Sequence, residues 1–140
     1  MVWLIYLALF SLQAAAPASK PSGAASLREF RSECANANTQ QEMNQCSEKE
    51  HQEAEAMLTA LYRQIAADLS RGKDPTALVK LRTAEGAWRR YRDLHCEAAR
   101  NQFKGGSGSA MIWSDCMTGV TLNRIQDLKY GYLVEGQPRP

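Results

Sequence analysis

Apolar positions recur every three or four residues along most of this chain, the period of helices that bury one face. Met43, Cys46, Ala54, Met57, Leu58, Leu61, Tyr62, Ile65 and Leu69 follow that spacing. Ahead of them, Thr39-Gln40-Gln41-Glu42 has the layout of a capping box, in which the Thr hydroxyl and the Glu carboxylate satisfy free amides of a first turn. Gly72 is expected to end this long helix by taking the left-handed conformation beyond its last turn. Asp74-Pro75 then reads as an N-cap followed by proline at the first helical position. A second stripe comprises Leu78, Leu81, Ala84, Trp88, Tyr91, His95, Ala98, Ala99 and Phe103. The segment 104–109, KGGSGS, must be a loop. A third helix carries Ile112, Trp113, Cys116, Met117, Val120, Arg124, Ile125 and Leu128, and is expected to stop before Gly131. A shorter helix is expected from Leu27 to Ala35. Period-two alternation is nowhere long enough to propose a sheet.

The first eighteen residues read differently. Val2 to Leu12 is an apolar run broken only by Ser11, about half the length that a membrane-spanning helix needs. Small residues close it, and Ala16-Pro17-Ala18 offers a cleavage site before Ser19, the layout of a secretory signal peptide. Residues 1–18 are therefore expected to be a leader and residues 19–26 a flexible lead-in. The helical domain is expected over 27–132, with 133–140 as a C-terminal tail. A periplasmic or secreted location follows, and the missing cysteine after the cleavage zone argues against a lipid anchor.

Export changes the meaning of the four cysteines, Cys34, Cys46, Cys96 and Cys116. An even count in a small exported chain reads as disulfides. Cys96 lies eight positions before Lys104, and Cys116 seven after Ser109. Equal distances from a hairpin turn put two residues at one height, so Cys96–Cys116 should clamp the hairpin and Cys34–Cys46 should tie the first short helix to the long one. The expected fold is all-α: a small disulfide-stapled helical bundle with a long antiparallel helical core. Zinc is the rival use of these thiols, helped by His51 and His95, but the nearest cysteine pair is twelve residues apart rather than C-x-x-C. No metal or cofactor is expected. His95, on the apolar stripe, is read as a packed core histidine, and His51, among glutamates, as solvated.

Composition narrows the function classes. The 140 residues are 44% hydrophobic and 23% charged with net charge +2, which fits one domain and is too weakly basic to imply nucleic acid. Enzyme signatures are missing. Gly105-Gly106-Ser107-Gly108-Ser109 lacks the final glycine and the preceding strand of a nucleophile elbow. There is no phosphate loop and no H-E-x-x-H. Glu53 and Asp93 have nothing in their spacing to mark a catalytic carboxylate pair. Charge is segregated, however. Residues 39–72 hold six acids against three bases, and residues 75–103 six bases against three acids. Such acidic helices can steer a cationic partner.

The string Trp88-Arg89-Arg90-Tyr91-Arg92-Asp93-Leu94-His95-Cys96 resembles the W-x-x-Y/F-R-D-x-x-C signature of the LprI family of bacterial lysozyme inhibitors. The segment 39–46, TQQEMNQC, is similar to that family's T-Q-x-[DE]-M-N-x-C opening, and Leu58 with Tyr62 to its L-N-x-x-Y. Gly105-Gly106-Ser107, Cys116, Thr121, Arg124 and Leu128 follow its G-G-S…C…T-x-x-R-x-x-x-L order. Thr59 stands where the family usually has Asn, and Glu85 where it usually has Gln. The resemblance implies a secreted or envelope-associated helical domain that binds lysozyme and protects peptidoglycan. Trp88, Tyr91, Arg92, Asp93, Thr121 and Arg124 are the motif residues, equally readable as a structural clamp near the disulfide. Lys104, Gly105, Gly106 and Ser107 are candidates for a loop that blocks a lysozyme groove, with Glu48 and Glu53 as steering charges. The other class of function is a non-inhibitory envelope interaction or stress module.

Overall fold

Thr39 starts the first helix. Its backbone is extended, its hydroxyl accepts from the Glu42 amide at 3.2 Å, and the Glu42 carboxylate accepts from the Asn38 and Thr39 amides at 2.8 and 2.9 Å. The capping box is thus complete. The computed structural model describes residues 35–133 as three helices: α1 (Gln40–Arg71), α2 (Ala77–Asn101) and α3 (Ser109–Leu133). Among the described residues there is no strand. The expected leader, lead-in, residues 27–34 of the short helix and residues 134–140 of the tail lie outside the described residues; Ala35 stands in a turn and Leu133 still belongs to α3.

The helix ends differ from expectation in three places. Gly72 follows Arg71, but at φ −71° and ψ 171° it is ordinary extended backbone, so the helix stops without a left-handed residue. Helix α2 starts at Ala77 with Thr76 at its N-cap, two residues later than proposed; Asp74 instead holds the turn before it, its carboxylate accepting from the Thr76 amide and hydroxyl at 2.8 and 2.7 Å. Helix α3 runs on through Gly131 to Leu133, since one glycine costs only about 1 kcal/mol and does not stop a packed helix.

The Glu42 carboxylate of the capping box and the Asp74 carboxylate of the turn before α2 both titrate below their ordinary range. Bonds from the Asn38 and then the Thr39 amide hold Glu42 down, and bonds from the Thr76 hydroxyl and then its amide do so for Asp74. A depressed folded pKa adds stability above the ordinary value, lost as pH falls through the folded one. The stability difference between the protein and its Glu42→Gln variant should therefore be largest at neutral pH and shrink below the ordinary Glu value of 4.5. Urea melts followed by circular dichroism at pH 7 and at progressively more acid pH measure it; a constant difference would refute the cap's role.

Successive helices run antiparallel, so α1 and α3, which pack most extensively, run parallel. Asn44 meets Ser107, Glu48 meets Ser114 and Glu55 meets Thr121 in rising order. Their interface has two halves. Toward the α1–α2 turn, Leu58, Leu61 and Ile65 bury against Leu81, Ile125 and Leu128. Toward the α2–α3 turn the buried residues are Ser47 and His51 from α1 and Ser114 and Thr118 from α3, with Met117 as the apolar filler. The Cys96–Cys116 disulfide closes this second half, joining α2 to α3 across a separation of 20 residues. Cys46, in the same half, is also disulfide-bonded; its expected partner, Cys34, lies outside the described residues. Among the described residues, no helix is long and apolar enough to cross a membrane.

Helix α2 corrects the stripe expected for it. Its buried residues are Leu81, Glu85, Arg92 and Cys96, whereas Ala84, Tyr91, His95, Ala98 and Phe103 face solvent. The period was right and the face only partly so: Leu81 and Trp88 of the expected stripe do turn inward, but two of the remaining inward positions are charged. The histidines exchange roles for the same reason. His51 is buried with its ring edge-on to Trp113 at 5.3 Å, and His95 is exposed and stacked on Tyr91 at 5.4 Å.

Candidate functional site

Two places gather the residues singled out by sequence. The first is a buried ionic clamp where all three helices meet. Arg92, 6% exposed, donates to the Glu55 carboxylate of α1, to Asp93 at 2.9 and 3.0 Å, and to the Thr121 hydroxyl of α3 at 3.4 Å. Thr121 passes its own proton to Glu55 at 3.1 Å. Two turns earlier on α2, buried Glu85 accepts from Arg124 at 3.2 Å and pairs with Arg89 at 3.5 Å. The Trp88 ring lies beside both guanidinium groups, 4.9 Å from that of Arg92 and 5.8 Å from that of Arg124. Arg92 and Glu85, the charges taken out of water, are each paired, as such charges must be, while Asp93 and Arg89 carry the network out to the surface.

Helical geometry explains the grouping. Glu85, Trp88 and Arg92 are three and four apart, so they stack on one face of α2. Thr121 and Arg124 answer them from α3 at the matching heights of an antiparallel pair. Trp88, Arg92, Asp93, Thr121 and Arg124 are therefore brought together, and what they do together is join helices. Tyr91 is not with them: it points outward, 56% exposed. Sequence reasoning missed Glu55 as a member, since a bond 37 residues away leaves no local signal. Glu85 did leave one, as the acid standing where the resembled family usually has Gln.

The second place is the α2–α3 turn. Lys104, Gly105, Gly106 and Ser107 are all exposed there. Gly105 takes φ +87°, a conformation that side chains with a Cβ rarely adopt. The turn is held rather than loose: the Gly106 and Ser109 amides bond back to Phe103 and Gly106 at 3.0 and 3.1 Å, and Asn44 of α1 donates to the Ser107 carbonyl at 3.0 Å. Gly108 leaves only enough room for Gln40, whose amide would sit 3.4 Å from an added Cβ. Beside it lies an open apolar depression of about 360 Å³, lined by Phe103, Met111, Ile112 and the backbone of the turn.

The structure does not gather the two steering acids with this turn. Glu48 is turned inward, accepting from the Ser114 hydroxyl at 3.0 Å and the Gln52 amide at 2.9 Å. Glu53 is nine residues from Asn44, half a turn around α1 from the face that holds the loop. It is half-buried, with one carboxylate oxygen enclosed and without a hydrogen bond. With Cys46, Cys96 and Cys116 oxidised, none of these three is available as a metal thiolate.

Residues 32–128 match the family described as "Lysozyme inhibitor LprI". The chain belongs to that family. The LprI match spans the whole described bundle from before α1 into the last turns of α3. A relative, an uncharacterized protein of Rhizobium meliloti (strain 1021), is 31% identical over 106 residues, covering 69% of this chain and 76% of its own. No solved structure matches. In this LprI-family chain Trp88, Arg92, Asp93, Thr121 and Arg124 of the motif go into the clamp, which leaves the turn, Tyr91 with the outer face of α2, and the outer surfaces of α1 and α3 to face a partner.

Proposed function

We propose that this is an exported binding protein of the lysozyme-inhibitor kind, with no catalytic role, acting by occlusion of a lysozyme groove. Residues 1–18 serve as the leader, and the disulfides suit an oxidising compartment outside the cytosol. The observation that carries the reading is the α2–α3 turn: exposed, pinned to α1 by Asn44, and bordered by an apolar depression. A loop already fixed in shape loses little entropy on binding, and glycines let its backbone approach a partner closely. Lys104 brings a positive charge to a groove that holds catalytic carboxylates. The net acidity of α1 supplies long-range attraction for a cationic enzyme, although Glu48 itself is engaged within the bundle.

The test is the activity of an animal lysozyme with the oxidised mature protein, residues 19–140, at micromolar excess. Inhibition is expected, and Lys104→Glu with Ser107→Glu should weaken it at least about tenfold while leaving the fold intact, because both side chains are exposed and contacts at the centre of an interface dominate its affinity. No inhibition by the parent protein would overturn the function and leave the non-inhibitory envelope module. Inhibition untouched by the loop variant would overturn the loop's part in it.

A further inference from the structure

The outer face of α2 carries a second apolar stripe that the bundle does not use. Ala84, Ala87, Tyr91, Leu94 and Ala98 follow each other at intervals of three, four, three and four, and every one is exposed. Tyr91 and Leu94 are 56% and 62% exposed, and stacking on His95 holds the Tyr91 ring in place. This is the spacing of a coiled-coil seam, about 21 Å long at 1.5 Å per residue. An apolar stripe of this regularity on a helix surrounded by water marks a contact surface.

The order of residues along the stripe says what covers it. Large residues stand at the centre and alanines at the ends. Turned about a two-fold axis, the stripe matches itself: Tyr91 meets the partner subunit's Leu94, Leu94 meets the partner's Tyr91, and Ala87 meets the partner's Ala98 on either side. The flanking charges agree. Arg90 and Glu97 lie on the same edge of the seam, one heptad apart. In the antiparallel register that pairs Tyr91 with the partner's Leu94, Arg90 falls opposite the partner's Glu97, and the pair occurs twice. A parallel pairing would set Arg90 beside the partner's His95 and Glu97 beside the partner's Gln102, with no opposite charge for either. Arg90 makes no ion pair within the described residues, and Glu97 shares its carboxylate between Arg100, 2.8 Å away on its own helix, and the partner's Arg90. We propose that the α2 faces of two copies of this protein pack antiparallel through Tyr91 and Leu94, flanked by Arg90–Glu97 pairs, in a two-fold dimer.

One helix face per subunit buries less than the ~1,200–2,000 Å² of a standard stable interface, so the dimer dissociates on dilution. Sedimentation velocity of the oxidised mature protein across a wide concentration series should show monomer passing into dimer. Leu94→Glu should lower the association constant at least about tenfold, since it places a charge at the centre of the seam. Arg90→Glu should weaken it severalfold by opposing carboxylates, and Arg90→Glu combined with Glu97→Arg should restore it. All these positions are exposed, so unchanged circular dichroism serves as the folding control. A protein that stays monomeric throughout, or a dimer indifferent to Leu94→Glu, would overturn the proposal, as would failure of the double charge reversal to restore it. A monomer whose melting temperature falls with Leu94→Glu would instead give the face to another segment of the same chain. A monomer whose lysozyme binding is lost with Leu94→Glu would give it to lysozyme. Either result would also overturn the dimer.

Discussion

Arg92→Ala should cost about 2–3 kcal/mol of stability, the expected loss of hydrogen bonds between a buried guanidinium and half-buried or exposed carboxylates together with the packing of its stem. Without the guanidinium, Glu55 keeps only the Thr121 hydroxyl and the more distant Arg89, 3.9 Å away, and Trp88 loses a cation from its ring face. The cavity left by the side chain adds to the cost. Arg92→Lys should recover only part of it, because an ammonium cannot reach Glu55, Asp93 and Thr121 in the planar fork that Arg92 uses. Urea midpoints at constant slope measure both changes. The double variant Arg92→Met with Glu55→Met should lose much less than the sum of its parts, since no charge is then stranded. Simple additivity would show that the two side chains do not act as a unit.

Loss of the Cys96–Cys116 bond is the second large effect. Closing a loop of this size is worth about 3 kcal/mol in the chain-entropy description, against a total of roughly 5–15 kcal/mol for a domain like this one. Replacing both cysteines by serine should lower stability by about that amount, and Cys96 adds a further penalty because it is fully buried. The same urea melts give the number. A loss below about 1 kcal/mol would mean that helix packing alone holds the hairpin closed.

Much of this fold was legible before the structure. The Thr39 capping box was readable because capping is a local event confined to four residues. The height match of Cys96 and Cys116 was readable because a short turn makes sequence distance a ruler. Long stripes on α1 located Leu58, Leu61 and Ile65 for the same reason that any amphipathic helix can be read. What failed in part was the choice of face on α2. A hydropathy pattern records where apolar side chains lie, not which side meets the neighbours, and here the neighbours are met by Glu85 and Arg92. The true inward face was hidden because its polar members are bonded to Glu55, Thr121 and Arg124 on other helices, at sequence distances of 29 to 39 residues. His51 was misplaced by the same rule, since adjacent glutamates describe its sequence neighbours and not Trp113. As for the candidate site, the family resemblance located the motif residues, yet only their mutual bonds identify five of them as helix-joining groups and leave Tyr91 outside.

The two unlike halves of the α1–α3 interface have a consequence for how the molecule breathes. Packed leucine and isoleucine hold one end, while at the other, small hydroxyl residues and an imidazole with a free nitrogen depend on the crosslinks beside them. Backbone amides should exchange with deuterium slowly from Leu58 to Ile65 and faster from Asn44 to His51, with the gap widening under reductant. The glycine turn sits on the faster end, anchored to it through Asn44. Its shape, and whatever it grips, is then tied to the oxidation state of the surroundings: in a reducing milieu the chain can keep its helices and still lose the contour that it presents.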